Sequence, residues 1–170
     1  MKLYADAMYG KLGRFLRILG FDTQVATPEL ADSEILEYCI ANDNILITQD
    51  KEFFQIMKKT LKNKTENKKI IYLSTQSLEE QIAIVFNHLD INPDVFINME
   101  PEKIIKRCSY CNSLVTKVEK TSIKEKIEKN TYLTVEKFWQ CSNTDCKKIY
   151  WVGSHWKNIK STLESVKQLL

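Results

Sequence analysis

Four cysteines stand in two pairs, Cys108-Ser109-Tyr110-Cys111 and Cys141-Ser142-Asn143-Thr144-Asp145-Cys146. Two tight turns that each present two thiolates are the pattern of a metal site. Zinc favours a closed tetrahedral sulfur shell and has no redox chemistry, so the expected site is structural and leaves no position for a substrate. Two unrelated pairs, or one redox pair, are the alternatives. The fifth cysteine, Cys39, falls on the apolar face of a helical stretch and reads as a small core residue. A module with so little core needs its metal to fold.

A second set of residues is acidic. Asp6 follows an apolar stretch at Lys2–Ala5, Asp32 opens a helical pattern, and Asp50 follows the apolar run Ile45–Thr48. Glu34 and Asp22 lie nearby in sequence. Carboxylates brought to one point repel one another unless a cation sits between them. Oxygen-only ligands select hard ions, magnesium or manganese, and ions held this way support phosphodiester hydrolysis. The bland reading gives Asp32 and Asp50 to helix capping. Asp6 is harder to explain so, because a strand end needs no acid. A phosphoacceptor receiver domain also places an aspartate after a third strand. It needs paired acids after the first strand, where this chain has Asp6 alone, and a lysine after the fourth, where this chain has Leu73-Ser74-Thr75.

The elements that would position these residues alternate. Lys2–Ala5, Thr23–Ala26, Ile45–Thr48 and Ile70–Leu73 read as strands. Between them, helices carry Leu12, Phe15, Leu16 and Leu19; then Ile35, Leu36, Cys39 and Ile40; then Phe53, Phe54, Ile56 and Met57. A fourth helix starts at Ser77, where Ser77 and Glu80 match a capping box. Strand–helix alternation predicts an α/β fold, a parallel sheet with helices on both faces, over residues 1–91. Such sheets place their chemistry at the carboxyl ends of the strands. Residues 92–103, with Pro93 and Pro101, read as a linker. The cysteine module spans 104–156, with a hairpin of Leu114–Glu119 and Tyr132–Gln140. Residues 157–170 form a closing helix with Ile159, Leu163, Val166 and Leu170 on one face.

Size and composition fit this plan. The 170 residues are 44% hydrophobic and 28% charged, with a net charge of +3, enough apolar material for a core and too little charge to prove a polyanionic partner. No stretch is apolar enough to span a bilayer, and the N-terminus lacks a signal-peptide pattern, so a cytoplasmic location and no membrane partner are expected. Lys58 to Lys69 holds six lysines and one glutamate. It reads either as a solvated loop or as a phosphate-attracting patch in which Lys62 and Lys64 are contacts. Arg14 and Arg17, three apart on the first helix, are either solvated or phosphate-binding.

The run Ala5-Asp6-Ala7-Met8-Tyr9-Gly10-Lys11-Leu12-Gly13-Arg14-Phe15-Leu16-Arg17-Ile18-Leu19-Gly20-Phe21-Asp22-Thr23 resembles the opening of the PIN-fold ribonucleases of the Mut-seven C-terminal family. The resemblance continues through Asp32-Ser33-Glu34, Ile47-Thr48-Gln49-Asp50, Leu78–Gln81 and the cysteine pairs to Tyr150-Trp151-Val152-Gly153-Ser154-His155-Trp156. It implies a PIN nuclease domain followed by a zinc ribbon, and metal-dependent cleavage of single-stranded RNA leaving a 5′-phosphate and a 3′-hydroxyl. It implies Asp6, Asp32 and Asp50, with Glu34, as the magnesium- or manganese-binding acids. RNA is then the expected partner, held across the strand ends by the ribbon and the lysine segment. A non-catalytic RNA- or ribosome-binding protein is the alternative, and a homodimer is also open. Three departures stand out: the wide Cys141–Cys146 turn, Gln49 in place of a common arginine, and the expanded lysine segment. His155 is expected either to reach RNA or to cap the ribbon. The Cys141–Cys146 turn and the Trp151–Trp156 string are the expected contacts between the two halves.

Overall fold

The computed structural model describes residues 1–60 and 69–170. Four short strands, β1 (Lys2–Ala5), β2 (Asp22–Val25), β3 (Asn44–Thr48) and β4 (Ile70–Tyr72), form a parallel sheet in the order β2-β1-β3-β4. The helices between them are α1 (Gly10–Ile18), α2 (Asp32–Ala41) and α3 (Lys51–Thr60), and α4 (Leu78–His88) follows β4.

Side chains of a strand alternate between faces, and here each face has its own core. Leu3, Ala5, Ile47 and Ile71 pack with Leu12, Phe15 and Leu16 of α1 and with Ile82 and Phe86 of α4. Tyr4, Leu46 and Ile70 pack with Ile35 and Cys39 of α2 and Phe53 and Met57 of α3. This is the expected two-faced α/β sheet. The helical faces are narrower than the sequence pattern suggests, because Ile40 and Ile56 point to solvent. From β1 the chain crosses to β2 on one side, while β3 and β4 lie on the other. The turning point therefore falls between β1 and β3, and a crevice is expected outside their carboxyl ends.

Residues 92–103 are not bare connection. They contain α5 (Asp94–Ile97) and α6 (Pro101–Ile104), and Phe96, Ile97, Met99 and Ile104 join the first core. The cysteine module has a three-stranded antiparallel sheet, β5 (Val115–Val118), β6 (Phe138–Cys141) and β7 (Ile149–Trp151), in that order. The expected return strand is shorter than Tyr132–Gln140. A 3-10 helix at Lys120–Lys126 and α7 (Lys129–Thr134) fill the loop, so Tyr132 is helical. The closing helix, α8, runs His155–Leu169 and lies along α4, with Leu163 and Val166 fully buried and Leu170 exposed.

Candidate functional site

The carboxyl ends of β1 and β3 carry the acids. Asp6 caps a short 3-10 turn at Ala7–Tyr9, its Oδ1 accepting from the Ala7 amide at 2.8 Å. That turn is the capping use of Asp6 that the sequence did not suggest. Asp50 is the N-cap of α3, its Oδ1 accepting from the Phe53 amide at 2.8 Å. Asp32 is not a cap. Ala31 holds that position and Asp32 lies in the first turn of α2. Partial burial first, then the charges of Asp50 and Asp6, raise the Asp32 carboxyl above its ordinary value. Asp32 thus senses the charges of Asp50 and Asp6 at this edge of the sheet.

Thr48 links two of them, and sequence reasoning missed it. Its hydroxyl is buried, donates to Asp6 Oδ2 at 3.4 Å and accepts from the Asp50 amide at 3.0 Å. The signal was a polar β-branched residue at the last position of an otherwise apolar strand. Tyr9 is buried near the same strand ends, its hydroxyl 3.4 Å from Gln49 Oε1 and 3.4 Å from the Leu73 carbonyl. Burial first, then Asp6, pushes this phenol up to about 12, so it stays protonated. Gln49 therefore has a packing partner where the resemblance anticipated arginine.

Asp6, Asp32 and Asp50 offer only oxygen, the donor type that hard divalent ions select. Among the described residues, the group of three or more ligating side chains close enough to share an ion is the four cysteines, not these acids. Asp50 Oδ2 and both oxygens of Asp32 accept no hydrogen bond among the described residues. Glu34 differs. Its Oε2 accepts from the Ala31 amide at 2.9 Å, so it secures the start of α2. Asp22 is also elsewhere. It sits at the amino end of β2, opposite Lys2, where it takes Arg107 Nη2 at 2.9 Å and Asn112 Nδ2 at 2.7 Å.

The cysteines form the second site. Ligand atoms of Cys108, Cys111, Cys141 and Cys146 all lie within 4.8 Å of one another. The pairs Cys108–Cys146 and Cys111–Cys141 have sulfurs 3.7 and 3.4 Å apart. A tetrahedron with zinc–sulfur bonds of about 2.3 Å has edges of about 3.8 Å, so the arrangement fits zinc and is far too open for disulfides. Each cysteine pair is followed by a left-handed residue, Asn112 at φ 67° and Lys147 at φ 47°, which turns the chain back over the sulfurs. Burial opposes ionisation of Cys111, but hydrogen bonding by Ser113 and the neighbouring thiols prevails and lowers it to about 6. Burial raises Cys141, to about 12, and Cys146. The Tyr150 hydroxyl, 3.0 Å from Cys108 Sγ, orients that ligand.

Arg17 joins the two sites' scaffolds, and this corrects its reading as a solvated or RNA-binding residue. It is 8% exposed, and donates from Nε to the Thr23 carbonyl at 2.6 Å and from Nη1 to the Tyr110 and Ser109 carbonyls at 2.7 and 3.3 Å. Burial lowers its pKa while Cys108 and Cys111 raise it, so the guanidinium offsets thiolate charge. The first cysteine turn, not the Cys141–Cys146 turn, therefore anchors the module, at the amino ends of β1 and β2. Arg17→Ala is expected to cost about 3 kcal/mol in urea unfolding, since it strands buried carbonyls. Arg14→Ala, at an exposed position of the same helix, is expected to cost under about 0.5 kcal/mol. Equal costs would refute this placement.

Of the other candidates, His155 is exposed at the start of α8. Lys62 and Lys64 lie outside the described residues. The segment that holds them is flanked by the end of α3 and by Lys69, which pairs with Asp43 just before β3. Those flanks lie at the amino edge of the sheet, away from the acids. Among the described residues, no helix is long and apolar enough to cross a membrane.

A family model described as Mut7-C RNAse domain matches residues 1–163. The chain belongs to this family. The matched residues include Asp6, Asp32, Asp50 and all four cysteines of the module. Membership makes a nuclease-type function on RNA the coarse assignment. No curated protein matches the chain.

Proposed function

We propose that this Mut7-C chain is a PIN-type, divalent-metal-dependent ribonuclease that hydrolyses phosphodiester bonds of single-stranded RNA. The observation that carries the reading is the match to the Mut7-C RNAse family over residues 1–163, together with Asp6 and Asp50 bridged by Thr48 at the carboxyl ends of β1 and β3. Asp6, Asp32 and Asp50 would hold magnesium or manganese. When bound there, the ion supplies water activation and neutralises charge on the phosphate.

The chain's own residues do the rest. Thr48 fixes the carboxylate of Asp6 relative to the backbone of Asp50. The N-terminal amides of α3 hold Asp50 in one rotamer through Phe53. Tyr9, kept protonated, packs beside Asp6 without adding charge. Exposed Arg14, one turn into α1, would meet a phosphate of the bound strand. Zinc held by the four cysteines takes no part in the chemistry, because its shell is closed.

The test is cleavage of 5′-labelled single-stranded RNA with manganese, with magnesium and with neither. Cleavage is expected only with a divalent ion, and the products should carry 5′-phosphates. Cyclic 2′,3′-phosphate products, or cleavage that ignores the ion, would refute the proposal. RNA bound but never cut would favour the non-catalytic binder.

A further inference from the structure

The most distinctive string of the chain, Tyr150 to Trp156, is unused by the acidic crevice. All of it but Val152 lines a groove of about 510 Å³ between β7, the start of α8 and Ile18 at the end of α1. Trp151, Trp156, His155 and Ile159 form its walls. Trp151 is 40% exposed, and a Cβ on Gly153 would come within 3.0 Å of its Nε1, so the glycine lets the backbone pass close under the indole edge. The indole N–H of Trp156 is buried in the same wall and has no hydrogen-bond partner among the described residues.

Behind Trp151 lies a second cavity, also about 510 Å³, lined by Lys126, Lys147 and Lys148 beside Glu128. Trp151, Ile149 and Thr131 belong to both, so the indole stands on the ridge between an aromatic groove and a basic one. All three lysines are exposed, and among the described residues none makes an ion pair. Lys148 lies over the Tyr110 ring at 4.6 Å. The charge of the whole chain is divided in the same sense. Residues 1–102 hold sixteen acidic and eleven basic side chains, whereas residues 103–170 hold six acidic and fourteen basic.

We infer that this ridge is a single-stranded RNA subsite, with one unpaired base stacked on Trp151 in the aromatic groove and the adjoining phosphates over Lys126, Lys147 and Lys148. The inference rests on the RNA reading above and adds where the strand is held. Stacking on an aromatic face with a basic track alongside is the sequence-tolerant way proteins hold single strands. The subsite is not at the catalytic edge. Ile18 is separated from the start of α1 by about 12 Å of helix rise, so the held nucleotide is distant from the bond that is cut.

The experiment measures affinity of the zinc-loaded protein, without manganese or magnesium, for a labelled single-stranded RNA of about a dozen nucleotides. Trp151→Ala is expected to weaken binding about tenfold, and Trp151→Phe to restore most of it. The double variant Lys147→Gln/Lys148→Gln, at exposed positions, should lower the slope of log affinity on log salt by about 1.4. An RNA duplex of the same sequence should not respond to Trp151→Ala. Unchanged affinity in both Trp151→Ala and the lysine variant would overturn the inference, and so would an equal loss for the duplex. If RNA is still cleaved in that case, the nuclease reading stands alone. If Trp151 governs binding but no divalent ion gives cleavage, the subsite stands and the nuclease reading falls. Should Trp151→Ala lose its zinc, the phenylalanine and lysine variants decide.

Discussion

Asp6→Asn and Asp50→Asn should each lower metal-dependent RNA cleavage by about a hundredfold or more, while leaving the protein folded. Loss of an outer partner of a metal site costs about 10- to 100-fold, so loss of a direct ligand costs at least the upper end. The fold survives because asparagine keeps the geometry. It caps a helix as well as aspartate does, so the bond from the Phe53 amide is preserved in Asp50→Asn. In Asp6→Asn the side-chain oxygen still accepts from the Ala7 amide. Stability should move the opposite way from activity. Removing one of three mutually repelling charges relaxes the metal-free crevice, and the Asp32 carboxyl should return toward its ordinary value. Thermal unfolding of metal-free protein therefore gives an equal or higher midpoint in the variant that no longer cuts. Asp50→Ala separates the roles, because it loses the cap as well and should cost about 1 kcal/mol. Wild-type cleavage by both asparagine variants would move the active site elsewhere.

The positions of Asp6 and Asp50 in the fold were legible because strand ends are marked in sequence. An apolar run followed closely by an acid occurs twice, at Asp6 and Asp50, and places both on one edge once the strands are parallel, whereas Asp32 is marked only as a helix start. The identity of the caps was less legible. Whether Asp32 or Ala31 starts α2 depends on backbone angles at one residue, and Glu34 settles it by reaching back to the Ala31 amide. Arg17 was misread because three-residue spacing from Arg14 looks like one solvated face. A better signal lay beside it. Gly13, one turn before Arg17, lies on the side of α1 that meets β2, and a Cβ there would come 2.5 Å from Val25. A small residue there makes room for a close approach, and a charge one turn further along that side is a charge to be buried. Asp22 was misplaced for a simpler reason. It is near the other acids in number, but it starts its strand instead of ending one, and a strand of four residues separates its two ends by about 10 Å. The helical insertion before β6 had no clear period, so Tyr132 to Thr134 passed for part of the strand.

Stripping zinc should unfold the cysteine module and loosen the nuclease half at one corner while sparing the acids. Structural zinc contributes about 10–16 kcal/mol to small metal-dependent folds, more than the module's few buried side chains can replace. Ile123, Phe138 and Trp139 are its main buried apolar groups outside the cysteines. Once the first cysteine turn opens, Arg17 loses the Ser109 and Tyr110 carbonyls, and Asp22 loses Arg107 and Asn112. These contacts all lie at the amino ends of β1 and β2. The acids lie at the other ends, held by Ala7, Thr48 and Phe53, none of which touches the module. A mercurial with a zinc indicator should release one zinc per chain and abolish the module's amide dispersion in NMR spectra. With manganese supplied again, cleavage of a very short RNA that spans the crevice alone should persist, whereas longer RNA should bind weakly. Cys108→Ser, which removes the most buried ligand, should reproduce this without any reagent. A full set of module resonances after stoichiometric zinc loss would show that its apolar core suffices. Equal loss of cleavage for short and long RNA would show instead that the two ends of the sheet are coupled.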